Sequence, residues 1–236
     1  MKKLLLASFL LLAAPVVAVA QKSLRNKPAS SPRFRSNGSD NSGVGVKGGA
    51  NFVSIKGNGL DKMYSGAKGL TLFHFGAYAQ IGITNRFSVQ PELLYQRKGF
   101  SGSEIFRNRA NTADSTGNKS TIKTSYLTVP ILLVFNVIEH VSIQAGPQFS
   151  YLLNVHPAGR TIDASSSNYN SVDVGLVGGI EGKFEFLRIG VRYDYSLSDL
   201  RKAGSFPVPK TIPVVTQNAQ ADIKYSAFQV YLGVGL

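Results

Sequence analysis

The chain has 236 residues, of which 43% are hydrophobic, and it contains no cysteine and no tryptophan. Without thiols it can form no disulfide, no thiolate metal site and no cysteine nucleophile, and the moderate hydrophobic content argues against a bundle of membrane helices. The formal net charge is +13, but the basic residues are spread along the chain without an RNA-binding motif or recognition helix, so we expect no nucleic-acid partner.

The N-terminus has the three regions of a secretory signal peptide. Lysines precede an apolar run over residues 4–19, and small residues stand at Ala18 and Ala20. We therefore predict that residues 1–20 are a signal peptide cleaved before Gln21. A membrane anchor is the alternative, but the run is short, Pro15 interrupts it, and no basic cluster follows at once.

Residues 21–43 are predicted to be a disordered, basic periplasmic linker. The stretch is rich in Ser, Asn and Pro, has few apolar residues and shows no periodicity. Its basic side chains could touch anionic lipid, but a solvated linker is the simpler interpretation.

Residues 44–236 break into eight segments in which apolar and polar residues alternate. The predicted strands cover residues 44–55, 71–83, 87–98, 122–135, 141–154, 172–181, 186–196 and 222–236. Short connections of a few residues alternate strictly with long ones, which cover residues 56–70, 99–121, 155–171 and 197–221. We therefore predict an all-β domain, an eight-stranded antiparallel up-and-down transmembrane β-barrel with short periplasmic turns and long extracellular loops.

Each predicted strand has one apolar and one polar face. In the last strand Phe228, Val230 and Leu232 share one face, and Gln229 and Tyr231 lie on the other. A membrane barrel turns the apolar face to lipid, whereas a soluble lipocalin-like barrel turns it inward. The export signal and the alternation of short and long connections favour the membrane barrel.

The polar faces carry charges of both signs. We predict that they meet in a charge network inside the barrel, formed by Lys47, Glu92, Asp173, Glu181, Arg188, Arg192 and Asp194. Eight strands leave an interior just wide enough for side chains, so the network is expected to plug the barrel.

Aromatic residues near the strand ends are typical of the girdles of membrane barrels. One predicted girdle lies beside the short turns and contains Phe87, Phe135 and Phe186. The other lies toward the long loops and contains Tyr95, Tyr151, Tyr193, Tyr195 and Tyr225.

Five stretches of the chain carry a resemblance to a known family: VGVKGGANFVSIKG, FSVQPELLYQRKG, YLTVPILLVF, IQAGPQFSYLL and VRYDYSLSDL. Together they resemble the PorT-like outer-membrane β-barrel family of Gram-negative, Bacteroidetes-type bacteria, whose members are often labelled porin-family proteins. The resemblance implies a location in the cell outer membrane and insertion by the barrel-assembly machinery. It implies no known substrate.

Three histidines, His74, His140 and His156, are the residues from which a lipid A-modifying active site would have to be built. His74 lies on the polar face of the second predicted strand, His140 in a short turn and His156 in an outer loop. Because they are not expected to converge, we predict no enzymatic activity, no metal site and no cofactor.

Basic residues at the predicted outer loops are expected to contact lipopolysaccharide phosphates: Arg97, Lys98, Arg107, Arg109, Arg201 and Lys202. A solvated loop surface is the alternative. The predicted function is a structural or surface-binding role in the outer membrane, with outer-membrane lipid as partner. The alternatives are a narrow channel for ions or small solutes, a membrane component of a protein export machine and, last, a lipid A-modifying enzyme.

Overall fold

Antiparallel β-strands account for the described fold. The structure is a computed structural model that describes residues 41–58, 64–107, 113–157, 162–163, 169–200 and 222–235. In chain order the strands are β1 (Gly43–Asn58), β2 (Tyr64–Gly69), β3 (Thr71–Gly82), β4 (Phe87–Arg107), β5 (Ala113–Ile138), β6 (Val141–Pro157), β7 (Ile162–Asp163), β8 (Val172–Phe184), β9 (Leu187–Ser196) and β10 (Asp222–Gly235). Within these ranges no helix is long and apolar enough to cross a membrane. The predicted signal peptide and nearly all of the predicted linker lie outside the described residues.

Eight of these strands close into a ring. Paired neighbours follow the order β1, β3, β4, β5, β6, β8, β9 and β10, and β10 pairs with β1 through fourteen residue pairs, from Gly45 with Gly235 to Asn58 with Asp222. Each pair in the ring is antiparallel. A closed ring has no free edge among its strands, so their backbone groups are hydrogen-bonded within the barrel. The predicted eight-stranded up-and-down barrel is confirmed.

The two ends of the barrel differ. At one end, the short-turn end, the strands are joined across residues 83–86, 139–140 and 185–186. The opposite end, the long-loop end, carries the long connections, and there the predicted strand limits are wrong. β4 and β5 continue as a paired hairpin to Arg107 and Ala113, where a loop over 99–121 was expected. The sequence gives no apolar alternation there, because this stretch is rich in Gly, Ser, Thr and Asn. The two strands nevertheless stay paired, with interruptions of the register after Ser103 and after Phe106.

Two short strands add to the long-loop end. β2 pairs with the extension of β4, and β7 pairs with the end of β6. Both fall in segments that were predicted to be loops. They cover the outer edges of β4 and β6 where those strands project beyond their ring neighbours, which reduces the number of unpaired backbone groups.

The apolar faces of the strands lie outside. The side chains of Phe75, Leu133, Leu176 and Leu232 are 52–58% exposed, whereas the inward-facing Gln90 is fully buried. A soluble barrel would show the reverse arrangement, because an apolar surface of this extent would drive aggregation in water. The predicted orientation of the two faces is confirmed.

The interior is not polar throughout. At the long-loop end a group of buried side chains, which we call the apolar plug, fills the barrel: Val53, Ile55, Phe100, Ile122, Tyr126, Leu152, Val155, Tyr169, Leu200, Ile223, Tyr225 and Ala227. Tyr225 was expected in the outer aromatic girdle, but it faces inward and is 2% exposed. Its odd number puts it on the inward face of β10, and its side chain packs in the plug.

Backbone hydrogen bonds fix part of the apolar plug over the mouth of the barrel. The N–H of Leu200 donates to the carbonyl of Ile223 at 2.8 Å, and the N–H of Asn170 donates to the carbonyl of Leu200 at 3.0 Å. Leu200 and Tyr169 come from the connections after β9 and before β8, so the described parts of these connections, residues 197–200 and 169–171, lie against the interior.

Small residues on the inward face make room for large ones. Gly190 lies opposite Tyr231 in the β9–β10 register, and a Cβ at Gly190 would collide with the Tyr231 ring. Gly179 lies opposite Arg192 in the β8–β9 register, and a Cβ there would meet the carbonyl oxygen of Val191 and the Cα of Arg192, the latter at 2.9 Å. The interior therefore has room for the bulky side chains of Tyr231 and Arg192 because the residues paired with them are glycines, which lack a side chain.

We predict that Gly179→Ala destabilises the barrel, because the new methyl group collides with backbone that cannot move without breaking the β8–β9 ladder. The free energy of unfolding, measured by urea titration in detergent micelles, should fall by roughly 1–3 kcal/mol. Gly178→Ala is the matched control, since a Cβ at this adjacent residue meets the Gln144 carbonyl oxygen at an ordinary 3.7 Å. Equal unfolding free energies for the two variants would contradict the packing described above.

Candidate functional site

Glu92 is the centre of the interior charge network. Strand β4 projects its carboxylate inward, where Arg192 of β9 donates to both oxygens at 2.8 and 2.7 Å. Lys47 of β1 donates to Oε1 at 2.6 Å, and Gln90 donates to the same oxygen at 2.7 Å. The Lys47, Glu92 and Arg192 side chains are at most 1% exposed. Charges so far from water are tolerated only when paired and hydrogen-bonded, and this arrangement meets both conditions.

A second group of charges lies nearer the short-turn end, around Glu181. Arg188 donates to one oxygen of Glu181 at 3.0 Å, and the hydroxyl of Tyr231 donates to the other at 2.8 Å. The Tyr231 ring in turn lies 4.6 Å from the Lys47 ammonium and 4.5 Å from the Arg192 guanidinium. Tyr231 therefore links the two groups, because its hydroxyl binds one carboxylate while its ring contacts the cations of the other.

A third group lies toward the long-loop end, around Lys98. Its ammonium is 3.0 Å from Asp194 and 3.6 Å from Asp173. Gln96 donates to Asp194 at 3.0 Å, Gln148 also donates to Asp194, and Ser196 donates to Asp173 at 2.8 Å. The expectation that Lys98 contacts lipopolysaccharide is wrong, because Lys98 is fully buried inside the barrel. The strand continues past it, so its inward parity decides its position.

The structure brings all seven predicted network residues into the interior and adds Lys98 to them. The carboxylates of Glu92, Glu181, Asp173 and Asp194 face the cations of Lys47, Lys98, Arg188 and Arg192 in these pairs. The two sets are equal in number, so the network carries no net charge when all eight groups are ionised. These eight groups balance one another, while Lys183 nearer the short-turn end adds a cation that binds the amide oxygens of Asn41, Gln80 and Asn136.

The other five residues that were predicted to contact lipopolysaccharide from the outer loops are not all in such loops, and three of them lie outside the described residues. Arg97 lies on β4 and faces outward, with its guanidinium 5.7 Å from the centre of the Phe73 ring. Arg107 is the last residue of β4, within the extended hairpin instead of in an outer loop. Arg109, Arg201 and Lys202 lie outside the described residues.

The three histidines do not share a site. His74 is buried in the interior, where its Nδ1 is 2.6 Å from Asn51 Oδ1. His140 is in the turn between β5 and β6 at the short-turn end. His156 was expected in an outer loop, but it belongs to β6 at the long-loop end. In the part of the chain that the structure describes, no group of three His, Asp or Glu residues is placed to hold a metal ion.

Comparison with protein families gives a match over residues 20–202, which is more than half of the chain, to a family described as outer membrane protein beta-barrel domain. The chain belongs to this family. It is an outer-membrane β-barrel protein, in agreement with its closed ring and apolar exterior. A comparison with curated protein sequences finds no match.

A comparison with solved structures gives two similar chains. One is Ail, the attachment invasion locus protein of Yersinia pestis, in complex with the heparin analogue sucrose octasulfate, with 14% identity and a TM-score of 0.43 over 83% of this chain and 99% of that chain. The other is the NanC porin, with 8% identity and a TM-score of 0.29 over 82% of this chain and 100% of that chain. The family assignment rests on the family match.

We predict that Glu92→Gln lowers the free energy of unfolding by about 3 kcal/mol or more, because Lys47 and Arg192 lose the buried carboxylate that balances them. The measurement is a urea titration in detergent micelles, in which the shifted gel mobility of the folded form reports the folded fraction at each urea concentration. Arg86→Gln, in an exposed short turn, is the control and should change stability by no more than about 0.5 kcal/mol. A Glu92→Gln protein as stable as the control would show that the pairing contributes little.

Proposed function

We propose that this protein has a structural or surface-binding role in the outer membrane and that its barrel conducts nothing. The observation that carries the proposal is the filling of the interior from its middle to its long-loop end. Glu92 and its partners close the middle of the barrel, and the apolar plug closes the long-loop end. A binding partner would then be met on the outer surfaces and not in a lumen.

The chemistry of the interior supports a closed barrel over a narrow channel. A hydrated ion needs water or unengaged polar groups along its path, but the charged interior side chains are engaged with one another. The apolar plug consists mostly of hydrocarbon groups that cannot replace the hydration shell of an ion, so entering it would carry a large desolvation penalty. The porin-family label thus describes the fold better than the activity.

We also propose that the protein is not an enzyme. The three histidines lie on the inside, in a turn at one end and on a strand at the other end, and an acyl-cleaving site needs a base beside its nucleophile. The role as a component of an export machine has no specific observation in its favour among the described residues.

Several further assignments are proposed on the sequence. Export through a signal peptide cleaved after Ala20 rests on the three regions of the N-terminus, and the PorT-like group rests on the five matching stretches. Outer-membrane lipid and lipopolysaccharide are the proposed partners, and the barrel-assembly machinery is the proposed route of insertion. The apolar exterior supports contact with lipid.

We predict that the folded protein gives no single-channel steps in planar lipid bilayers. Folding is first checked by the shift in gel mobility, and a detergent blank controls for leakage. Leu152→Ala is the companion variant: it thins the apolar plug but should stay silent, because the charge network still closes the barrel. Discrete current steps from the folded wild-type protein would overturn this proposal in favour of the narrow channel.

A further inference from the structure

A β-bulge changes which residues of β6 face outward at the long-loop end. Ser125 of β5 pairs with Asn154 of β6, but the next residue, Tyr126, pairs with Leu152, so Leu153 has no partner on β5. The extra residue reverses the alternation of β6. Leu152 and Val155 are both buried inside the barrel, and Asn154 and His156 are turned to the outer face. Bulges often re-aim side chains in this way beside functional sites.

The register brings basic residues of three strands together on that face. Lys123 lies directly opposite His156, Ser125 lies opposite Asn154, and Arg97 of β4 lies opposite Ser125. Side chains opposite each other on antiparallel strands are about 5 Å apart at Cβ, and diagonal neighbours about 7–8 Å apart. We call Arg97, Lys123, Asn154 and His156 the rim cluster.

Polar atoms of the rim cluster are shielded but lack partners. Arg97 Nε, Asn154 Oδ1 and His156 Nδ1 are buried and form no hydrogen bond among the described residues. The ion pairs that join described residues include neither Arg97 nor Lys123. Asp163 of β7 stands at the register position opposite Asn154, but one carboxyl group leaves the two permanent cations in excess. A buried polar group without a partner calls for an explanation, and a bound water, ion or ligand is one of them.

The height of the rim cluster matches lipid headgroups. Outward-facing residues of β5 are apolar from Phe135 to Leu127, and with ~3.3 Å per residue and a tilt of about 40° this band is ~20 Å tall. Lys123 is four residues further along the strand, about 10 Å higher by the same geometry. The hydrocarbon band of a membrane barrel is about 25 Å tall, so the cluster lies just above it.

Aromatic side chains border the rim cluster on the lipid side. Arg97 lies over the Phe73 ring, and the Tyr95 hydroxyl donates to Ser125 at 3.0 Å. These contacts fix the position of the Arg97 side chain at the boundary between the apolar band and the polar region. A cation held there can approach the headgroup of an adjacent lipid while the rings contact its acyl chains.

We propose that the rim cluster binds a phosphate group on the headgroup of an outer-leaflet lipid. Arg97 and Lys123 supply the charge and the charge-assisted hydrogen bonds to phosphate oxygens, and the polar side chains of His156 and Asn154 lie beside them. The proposal rests on the surface-binding role proposed above and gives that role a ligand class and a location.

The test is native mass spectrometry of the refolded protein in detergent, with bisphosphorylated lipid A as the probe. Wild type should retain lipid A, and the double variant Arg97→Gln/Lys123→Gln should retain at least about tenfold less, because it loses two charge-assisted contacts. Arg97→Lys/Lys123→Arg keeps both charges and should retain far more than the double Gln variant. Lys56→Gln is the matched control, an exposed cation at the same end of the barrel on β1. The gel shift verifies the folding of every variant.

Dephosphorylated lipid A and inorganic phosphate are the two remaining probes. Weak retention of dephosphorylated lipid A would support the phosphate contact, and retention equal to that of intact lipid A would overturn it. Displacement of lipid A by inorganic phosphate at equal concentration would overturn the lipid as the source of the phosphate. Equal losses in Lys56→Gln and the double Gln variant would show non-specific attraction and overturn the site. If lipid A is not retained and the bilayers show no current steps, the lipid site is wrong but the closed barrel stands. If the bilayers show channel steps, the closed barrel is wrong whatever the lipid A result.

Discussion

The fold depends on the absence of hydrogen-bonding partners in lipid. A backbone N–H or carbonyl that faces hydrocarbon must find its partner within the protein, and a sheet meets this demand only when its last strand pairs with its first. The pairing of β10 with β1 is that closure. Once eight strands form a ring, the ring has a fixed width, one face of every strand must face lipid, and the other face must fill a narrow interior. The apolar exterior and the crowded interior are two results of one constraint.

The interior then has to solve its own problem of solvation. Polar side chains that point into so narrow a space have little water to bind, so they bind each other. Glu92 of β4 is held by two cations, Lys47 of β1 and Arg192 of β9, and Tyr231 connects this group with Glu181. The inward glycines supply the space that these large side chains need. Beyond the group around Lys98, the side chains at the long-loop end are mostly apolar and pack as they would in a soluble core.

The ring and the direction of its faces could be predicted from sequence because a two-residue period and a strict alternation of connections survive in the amino-acid order. The alternation of faces along each strand was also enough to place Lys47, Glu92, Asp194 and Arg192 in the interior. Lys98 has the same parity, but the strand was ended at that residue, because the Gly- and Ser-rich continuation carries no apolar signal. The bulge after Leu152 reverses the parity of β6, and no residue type there announces it. The rim cluster therefore could not be found before the register was known.

Two of the interior polar contacts join parts of the chain that are far apart in sequence. Glu92 and Arg192 are 100 residues apart, and Gln96 and Asp194 are 98 apart. In both cases β4 contacts β9, the strand across the ring from it. A barrel that lacks β9 can pair Glu92 with Lys47, but it leaves Glu92 without Arg192. The contacts between β4 and β9 therefore favour cooperative assembly, because they form only when both halves of the ring are present. The same contacts that close the middle of the finished barrel are missing from a barrel that is only half assembled.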